Sequence, residues 1–216
     1  MYRIGLRCAA VVCNAKLSMR ISGGTAKGRR IGFRKAFAKR DEGEELRPTS
    51  SKVREALFDI LRDRVRGTSF LDLYAGTGGV GIEALSRGAS RVVFVDADRL
   101  RVKMIRQFLA EFNFLDRAVA VNSDGYRFLR KEEGRGHRYR IVFLDPPYRS
   151  DELVEVLPLI GEGCILEDDG LVVAEHFSKT RLPEDIKGLR LIRSYKYGDT
   201  MLSVYGKMRM PEEIAR

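Results

Sequence analysis

Residues 70–85 read Phe-Leu-Asp-Leu-Tyr-Ala-Gly-Thr-Gly-Gly-Val-Gly-Ile-Glu-Ala-Leu. An apolar run passes into a glycine bend and then into a helical pattern. A strand, a tight turn and a helix in that order form the opening unit of a doubly wound sheet. Gly76, Gly78 and Gly81 satisfy G-x-G-x-x-G, which by itself suggests a dinucleotide site. Asp96 closes the next strand-like run, Arg91 to Val95, twenty residues after Gly76, where a carboxylate suits ribose hydroxyls.

Asp72 changes that reading. It lies inside the first strand, four residues before Gly76. A pyrophosphate over the bend would meet an unfavourable carboxylate, whereas a cationic ligand would be attracted. S-adenosylmethionine carries an amino group and a sulfonium and no phosphate. The alternative for Asp72 is an aspartate that braces the turn. The cofactor-binding candidates are Asp72, Tyr74, Ala75, Gly76, Thr77, Gly78, Gly81, Asp96 and Ala97.

A second motif, Asp145-Pro146-Pro147-Tyr148, follows the apolar run Ile141-Val142-Phe143-Leu144. Two prolines fix φ and remove two N–H donors, so the chain leaves the strand stiff and extended. The Asp145 carboxylate and the Pro146 carbonyl can accept both hydrogens of an exocyclic amine, and the Tyr148 ring can stack on the base that carries it. These four are the catalytic candidates. The plain alternative is a strand-ending turn. Ser123 and Asp124 follow a third strand-like run. Asp124 reads equally as an acceptor for an adenine amine and as a helix N-cap.

From Thr68 onward, strand and helix alternate. Strands are predicted at 69–74, 91–95, 118–122, 140–144 and 170–175, and helices at 79–87, 98–113, 124–132 and 151–160. That spacing implies a parallel sheet with helices on both faces. Leu189 to Lys196 and Met201 to Tyr205, joined by Tyr-Gly-Asp-Thr, predict a closing antiparallel hairpin. All the motifs above then fall at the carboxyl edge of one sheet, where open α/β sheets bind ligands.

Upstream, residues 20–34 suggest a small basic hairpin. A helix starts near Thr49 or Ser50, with Val53, Ala56, Leu57, Ile60 and Leu61 as its core stripe and Lys52, Arg54 and Arg62 pointing elsewhere. Three parts are expected: a leader at 1–18 that is dispensable or a misassigned start, a basic hairpin and loop at 19–48, and a catalytic domain at 49–210.

The chain has 40 Lys and Arg against 30 Asp and Glu, a net charge of +10, with the basic residues concentrated before residue 67. That asymmetry suggests a polyanion such as RNA or DNA. An odd cysteine count (Cys8, Cys13, Cys164) points to reduced thiols and a cytoplasmic setting. With only His137 and His176 there is no Cys/His cluster at ligand spacing, so no metal is expected. No apolar run approaches a membrane span.

From about Met19 onward the chain resembles the RsmD-type methyltransferases of bacterial small-subunit (16S) ribosomal RNA, which modify the N2 of a guanine. The resemblance rests on Arg20-Ile-Ser-Gly-Gly, Gly28-Arg29-Arg30, Arg47-Pro48-Thr49, Val53-Arg54-Glu55-Ala56-Leu57-Phe58, the glycine motif, Gly88-Ala89 and Asp145-Pro146-Pro147-Tyr148. The last motif and the glycine motif are shared with many amino-methyltransferases; the segments at 20–30 and 47–58 narrow the substrate. Tyr74 replaces a common phenylalanine, and Ser123 a common glycine.

The resemblance implies an α/β, Rossmann-like class I fold with a seven-stranded, mostly parallel sheet, an antiparallel last strand and a small N-terminal hairpin and helix extension. It implies S-adenosyl-L-methionine as methyl donor. The expected partner is ribosomal RNA within the small subunit or its assembly intermediate, acted on by a monomer. Arg20, Lys27, Arg29, Arg30, Arg47, Thr49, Lys52 and Arg54 are the expected RNA contacts. The rival readings are an adenine-N6 or cytosine-N4 methyltransferase, a nicotinamide oxidoreductase and a non-catalytic RNA-binding assembly factor.

Overall fold

The computed structural model describes residues 16–34, 50–147 and 151–208. A two-stranded antiparallel hairpin, β1 (Lys16–Arg20) and β2 (Arg30–Arg34), precedes helix α1 (Ser51–Leu61). The alternating body follows: β3 (Ser69–Leu73), α2 (Gly79–Ser86), β4 (Arg91–Asp96), α3 (Arg99–Glu111), β5 (Ala118–Asn122), α4 (Gly125–Glu133), β6 (Tyr139–Leu144), α5 (Glu152–Glu162) and β7 (Leu166–Phe177). The chain closes with β8 (Asp185–Ile186), β9 (Leu189–Tyr197) and β10 (Thr200–Lys207).

One sheet holds the strands in the order β5-β4-β3-β6-β7-β10-β9-β8. The first five are mutually parallel, and β10 enters antiparallel between β7 and β9. Eight strands stand where seven were expected. The extra one is the two-residue β8, which pairs with the outer edge of β9. The strand order reverses at β3, which lies between β4 and β6, so the glycine bend after β3 occupies the switch point of the sheet.

Two apolar layers sandwich the sheet. Phe70, Phe94, Ile141, Phe143 and Val173 meet α1, α2 and α3 on one face. Leu71, Val93, Val142, Leu144 and Val172 meet α4 and α5 on the other. This is the pleat at work, since successive residues of a strand face opposite layers. Gly81 is required where α2 crosses β4: a Cβ there would lie 2.2 Å from the Phe94 ring.

The hairpin is docked on α2. Ser86 Oγ donates to the Gly23 carbonyl at 2.6 Å and accepts from Ala26 N–H at 2.8 Å. Gly24, at φ +76°, passes so close that a Cβ would fall 1.8 Å from the Ser86 carbonyl oxygen. β1 begins at Lys16, within the segment set apart as 1–18; residues 1–15 lie outside the described residues.

Helix α1 is capped by Ser50, whose Oγ accepts from Val53 N–H at 3.2 Å. Its buried stripe is Val53, Arg54, Leu57, Phe58 and Leu61. The stripe is rotated from the expected one, leaving Ala56 and Ile60 partly exposed. The buried side takes in Arg54. That residue is 1% exposed, and its Nε donates to Glu83 at 2.9 Å while Nη2 donates to the Arg20 carbonyl at 2.7 Å. Glu83 also accepts from Arg87 Nη2 at 2.9 Å and from the Ser22 hydroxyl. Burial pushes the Glu83 carboxyl up, but the Ser22, Arg87 and Arg54 hydrogen bonds outweigh it and hold the group below its ordinary range.

Removing Glu83 would leave the Arg54 cation buried without its counter-charge. Glu83→Ala is expected to cost about 3–5 kcal/mol of stability, read as a lowered denaturant midpoint. Gly24→Ala is expected to release the hairpin. Limited proteolysis should then cut within residues 16–34 while the sheet core stays resistant; an uncut hairpin would show that the close approach at Ser86 is dispensable.

Candidate functional site

Three carboxylates gather at the carboxyl ends of adjacent strands. Asp72 is 2% exposed, and its Oδ2 accepts from Gly81 N–H, in the first turn of α2, at 2.8 Å. Asp96 takes Gly76 N–H on one oxygen and Asp98 N–H on the other, both at 2.8 Å. Asp145 is the first residue after β6, the strand beside β3.

Burial pushes the Asp72 carboxyl up to about 7. The Gly81 N–H bond pulls it down, and the negative charges of Asp145 and Asp96 raise it further. The Asp96 carboxyl is also raised by burial, against the Asp98 N–H bond, the Arg101 cation and the Gly76 N–H bond. The glycine bend and the proline corner therefore share one negative field.

The bend itself is pinned to β4. Tyr74 and Ala75 N–H both donate to the Val95 carbonyl, at 3.0 and 2.8 Å. Gly76 and Gly78 hold φ of 54° and 77°, a left-handed geometry that favours glycine. Tyr74 reaches φ 99° as well and turns its ring onto the first residue of α4; a Cβ on Gly125 would lie 2.6 Å from the Tyr74 hydroxyl. Burial, then the facing Glu152 carboxylate, raises the pKa of that hydroxyl. Ala75 and Thr77 are buried in the bend, and Ala97 is exposed just past Asp96.

Asp124 is an N-cap. Its Oδ1 accepts from Arg127 N–H at 2.8 Å, and Oδ2 faces Arg127 Nε at 3.4 Å. Ser123 N–H donates to the Asp96 carbonyl, placing β5's exit beside that of β4. Pro146 is buried and Pro147 half-buried beyond Asp145, while Tyr148 lies outside the described residues.

The basic candidates divide. Arg20, Lys27, Arg29, Arg30 and Lys52 are exposed. Arg29 is also anchored: its Nη2 donates to the Glu111 carbonyl at 2.9 Å, and its guanidinium lies 4.1 Å from the Phe112 ring centroid. Arg54 is corrected from an expected phosphate contact to a buried partner of Glu83, out of reach of any polyanion. The Arg20-to-Gly24 and Val53-to-Phe58 segments thus owe much of their pattern to docking of the hairpin and α1. Arg47 and Thr49 lie outside the described residues.

Sequence reasoning missed Glu175. It is 3% exposed on β7, one residue past Ala174, which pairs with Leu144, so it stands beside Asp145. The only available signal was an acid at the end of an apolar strand run.

The arrangement suits a cation at the bend and an amine at the corner. Asp72, raised to about 7 by burial first and then by the charges of Asp145 and Asp96, opposes a diphosphate and favours a positive group in its ionised form. Among the described residues, no three His, Cys, Asp or Glu side chains gather at metal-binding geometry, and no helix is long and apolar enough to cross a membrane.

Comparison with known proteins agrees with this layout. The family model described as Conserved hypothetical protein 95 matches residues 19–206. A Bacillus subtilis relative, "Putative rRNA methyltransferase YlbH", is 39% identical over 189 residues, covering 88% of this chain and 99% of the relative. Ribosomal RNA small subunit methyltransferase D of Escherichia coli K12 is 31% identical over 197 residues, covering 91% and 94%. The solved structure of "Putative methyltransferase yhhF" from Escherichia coli superposes with a TM-score of 0.72 at 29% identity, covering 89% of this chain and 99% of that one. The sheet is thus the Rossmann-like class I methyltransferase fold, and the chain belongs to the Conserved hypothetical protein 95 family, that of the RsmD-type methyltransferases.

Proposed function

We propose that the protein is an S-adenosylmethionine-dependent methyltransferase acting on the exocyclic N2 amine of a guanine in small-subunit ribosomal RNA. The observation that carries this reading is the carboxylate trio of Asp72, Asp96 and Asp145, which joins a cation-seeking bend to an amine-seeking corner. The names of relatives at 31–39% identity support rRNA as substrate.

S-adenosylmethionine, when bound, supplies a methyl group activated by a sulfonium. Asp72 would face its positive charge, and Asp96 its ribose hydroxyls, with Gly76 to Gly78 allowing close approach of the backbone. Ser123 and the outer oxygen of Asp124 would line the nucleoside end.

At the corner, the Asp145 carboxylate and the Pro146 carbonyl accept the two amine hydrogens of the target base. That grip favours a more tetrahedral nitrogen whose lone pair points at the bend. Orientation and electrostatics supply most of the rate, and no strong base is needed in advance, because an amine under alkylation becomes acidic and Asp145 can take up its proton. The base must be unpaired or flipped to reach the corner. The exposed Arg20, Lys27, Arg29, Arg30 and Lys52 would hold the surrounding phosphates.

The deciding experiment is nucleoside analysis of small-subunit rRNA from a strain lacking the protein. One N2-methylguanosine is expected to disappear and to return on complementation. Loss of N6-methyladenosine or N4-methylcytidine instead would reassign the base.

Asp145→Ala is expected to lower transfer roughly 100- to 1,000-fold while titration calorimetry shows donor affinity retained. Donor affinity lost in step with activity would place Asp145 in the cofactor pocket.

A cationic ligand binds the ionised form of Asp72 more tightly, so donor affinity should rise with pH through about 7 and binding should release a proton. Asp72→Asn should weaken binding and flatten that dependence. The same raised pKa works against the free fold, which should lose stability as pH climbs from the ordinary aspartate value through about 7, since the native state there holds the extra proton.

A further inference from the structure

The face that carries Asp72 continues beyond the carboxylates. Register pairs run Asp72–Phe143–Val173–Val204–Arg193 across β3, β6, β7, β10 and β9. The next rows are Glu175–Leu202–Tyr195 and Phe177–Thr200–Tyr197. Residues in register share a face of a sheet. Arg193, Tyr195 and Tyr197 therefore stand on the same face as Asp72. β10 is antiparallel to both its neighbours, so β9 runs in the direction of β7 and its stripe climbs to the edge where Asp145 sits.

A local irregularity creates this stripe. Tyr205 pairs with Leu191 but Val204 pairs with Arg193, so Ile192 is an extra residue. Leu191, before the bulge, packs toward α5's layer, whereas Tyr195, after it, packs toward α1's layer.

Helix α1 forms the facing wall, and between the two lies an open groove of about 760 Å³. Arg193 stacks over Tyr195, with its guanidinium carbon 5.2 Å from the ring centroid. Tyr197 is 36% exposed. The ionic lining is mixed: Lys52, Arg62 and Arg193 alternate with Glu55 and Asp59.

We propose that this groove binds the few unpaired nucleotides that flank the target base, an inference that rests on the RNA reading above. Tyr197 presents a ring on which any base can stack, and the Arg193 guanidinium, laid over the Tyr195 ring, offers a planar cation for a second base. Lys52 meets the phosphates. Glu55 and Asp59 would repel a continuous duplex backbone yet can accept base amines, so the lining fits splayed bases better than a helix. From β6 to β9 is three strand spacings, about 14 Å, a span that a few nucleotides cover.

The test uses the full chain and two RNA fragments around the target guanine, one with long single-stranded flanks and one trimmed to its nearest neighbours. Tyr197→Ala and Arg193→Ala should each weaken binding of the long fragment roughly 5- to 100-fold, with the loss falling on Kd and KM. The trimmed fragment should lose little, and Tyr197→Phe should restore the long one. Calorimetry with S-adenosylmethionine alone reports whether the pocket is intact. Unchanged affinity for the long fragment in both variants overturns the proposal. So does a defect confined to assembled subunits, which would make the groove a seat for a ribosomal protein. Should the wild-type chain methylate no guanine, the functional reading fails, while the binding measurements still decide the groove.

Discussion

A single buried carboxylate, Glu83, holds together parts of the chain that are far apart in sequence. It lies on α2, the helix that leaves the glycine bend, and it binds Arg54 of α1, Arg87 at the C-cap of α2 and Ser22 of the hairpin loop. A buried charge of this kind survives only when its lone pairs are filled, and here three elements fill them. The bend cannot be placed without α2, and α2 is fixed by this junction on the side away from the sheet. The N-terminal elements are thus structurally continuous with the cofactor edge.

The second constraint works in the opposite sense. At Asp72, burial and two like charges make the free state electrostatically unfavourable, and only the Gly81 N–H bond opposes them. The fold tolerates this because apolar layers on both sides of β3 dominate its stability. The same concentration of negative charge favours a cation over a diphosphate. This separates the protein from nicotinamide enzymes that carry the same glycine spacing.

Much of this is legible in the sequence. The sequence pattern located the strands and helices of the alternating body and the closing hairpin to within a few residues, because the parallel core is strictly layered, whereas β1, at Lys16–Arg20, lies ahead of the 20–34 segment read as the hairpin. Asp72, Asp96 and Asp145 were legible as well, since each ends or interrupts an apolar run. The two-residue β8 was not, because so short a strand has no period to read. Arg54 misled for a physical reason: a basic residue in a basic segment looks solvated, and only the tertiary fold brings a glutamate 29 positions away against it. The stripe Arg193, Tyr195, Tyr197 was hidden by the bulge at Ile192, which switches the face mid-strand.

The docked hairpin has a geometric consequence. Gly24 is pressed on the backbone of Ser86, and Arg29 is clipped to the end of α3 through Glu111 and Phe112. Its exposed cations therefore sit at a set offset from the glycine bend and cannot swing independently of it. A hairpin fixed in this way works as a calliper. Under the proposed function, an RNA resting on its outer jaw would reach the corner at Asp145 only where the target base protrudes at the matching distance along the backbone, so choice among chemically identical bases would come from length and shape, with no base in the surrounding stem being read.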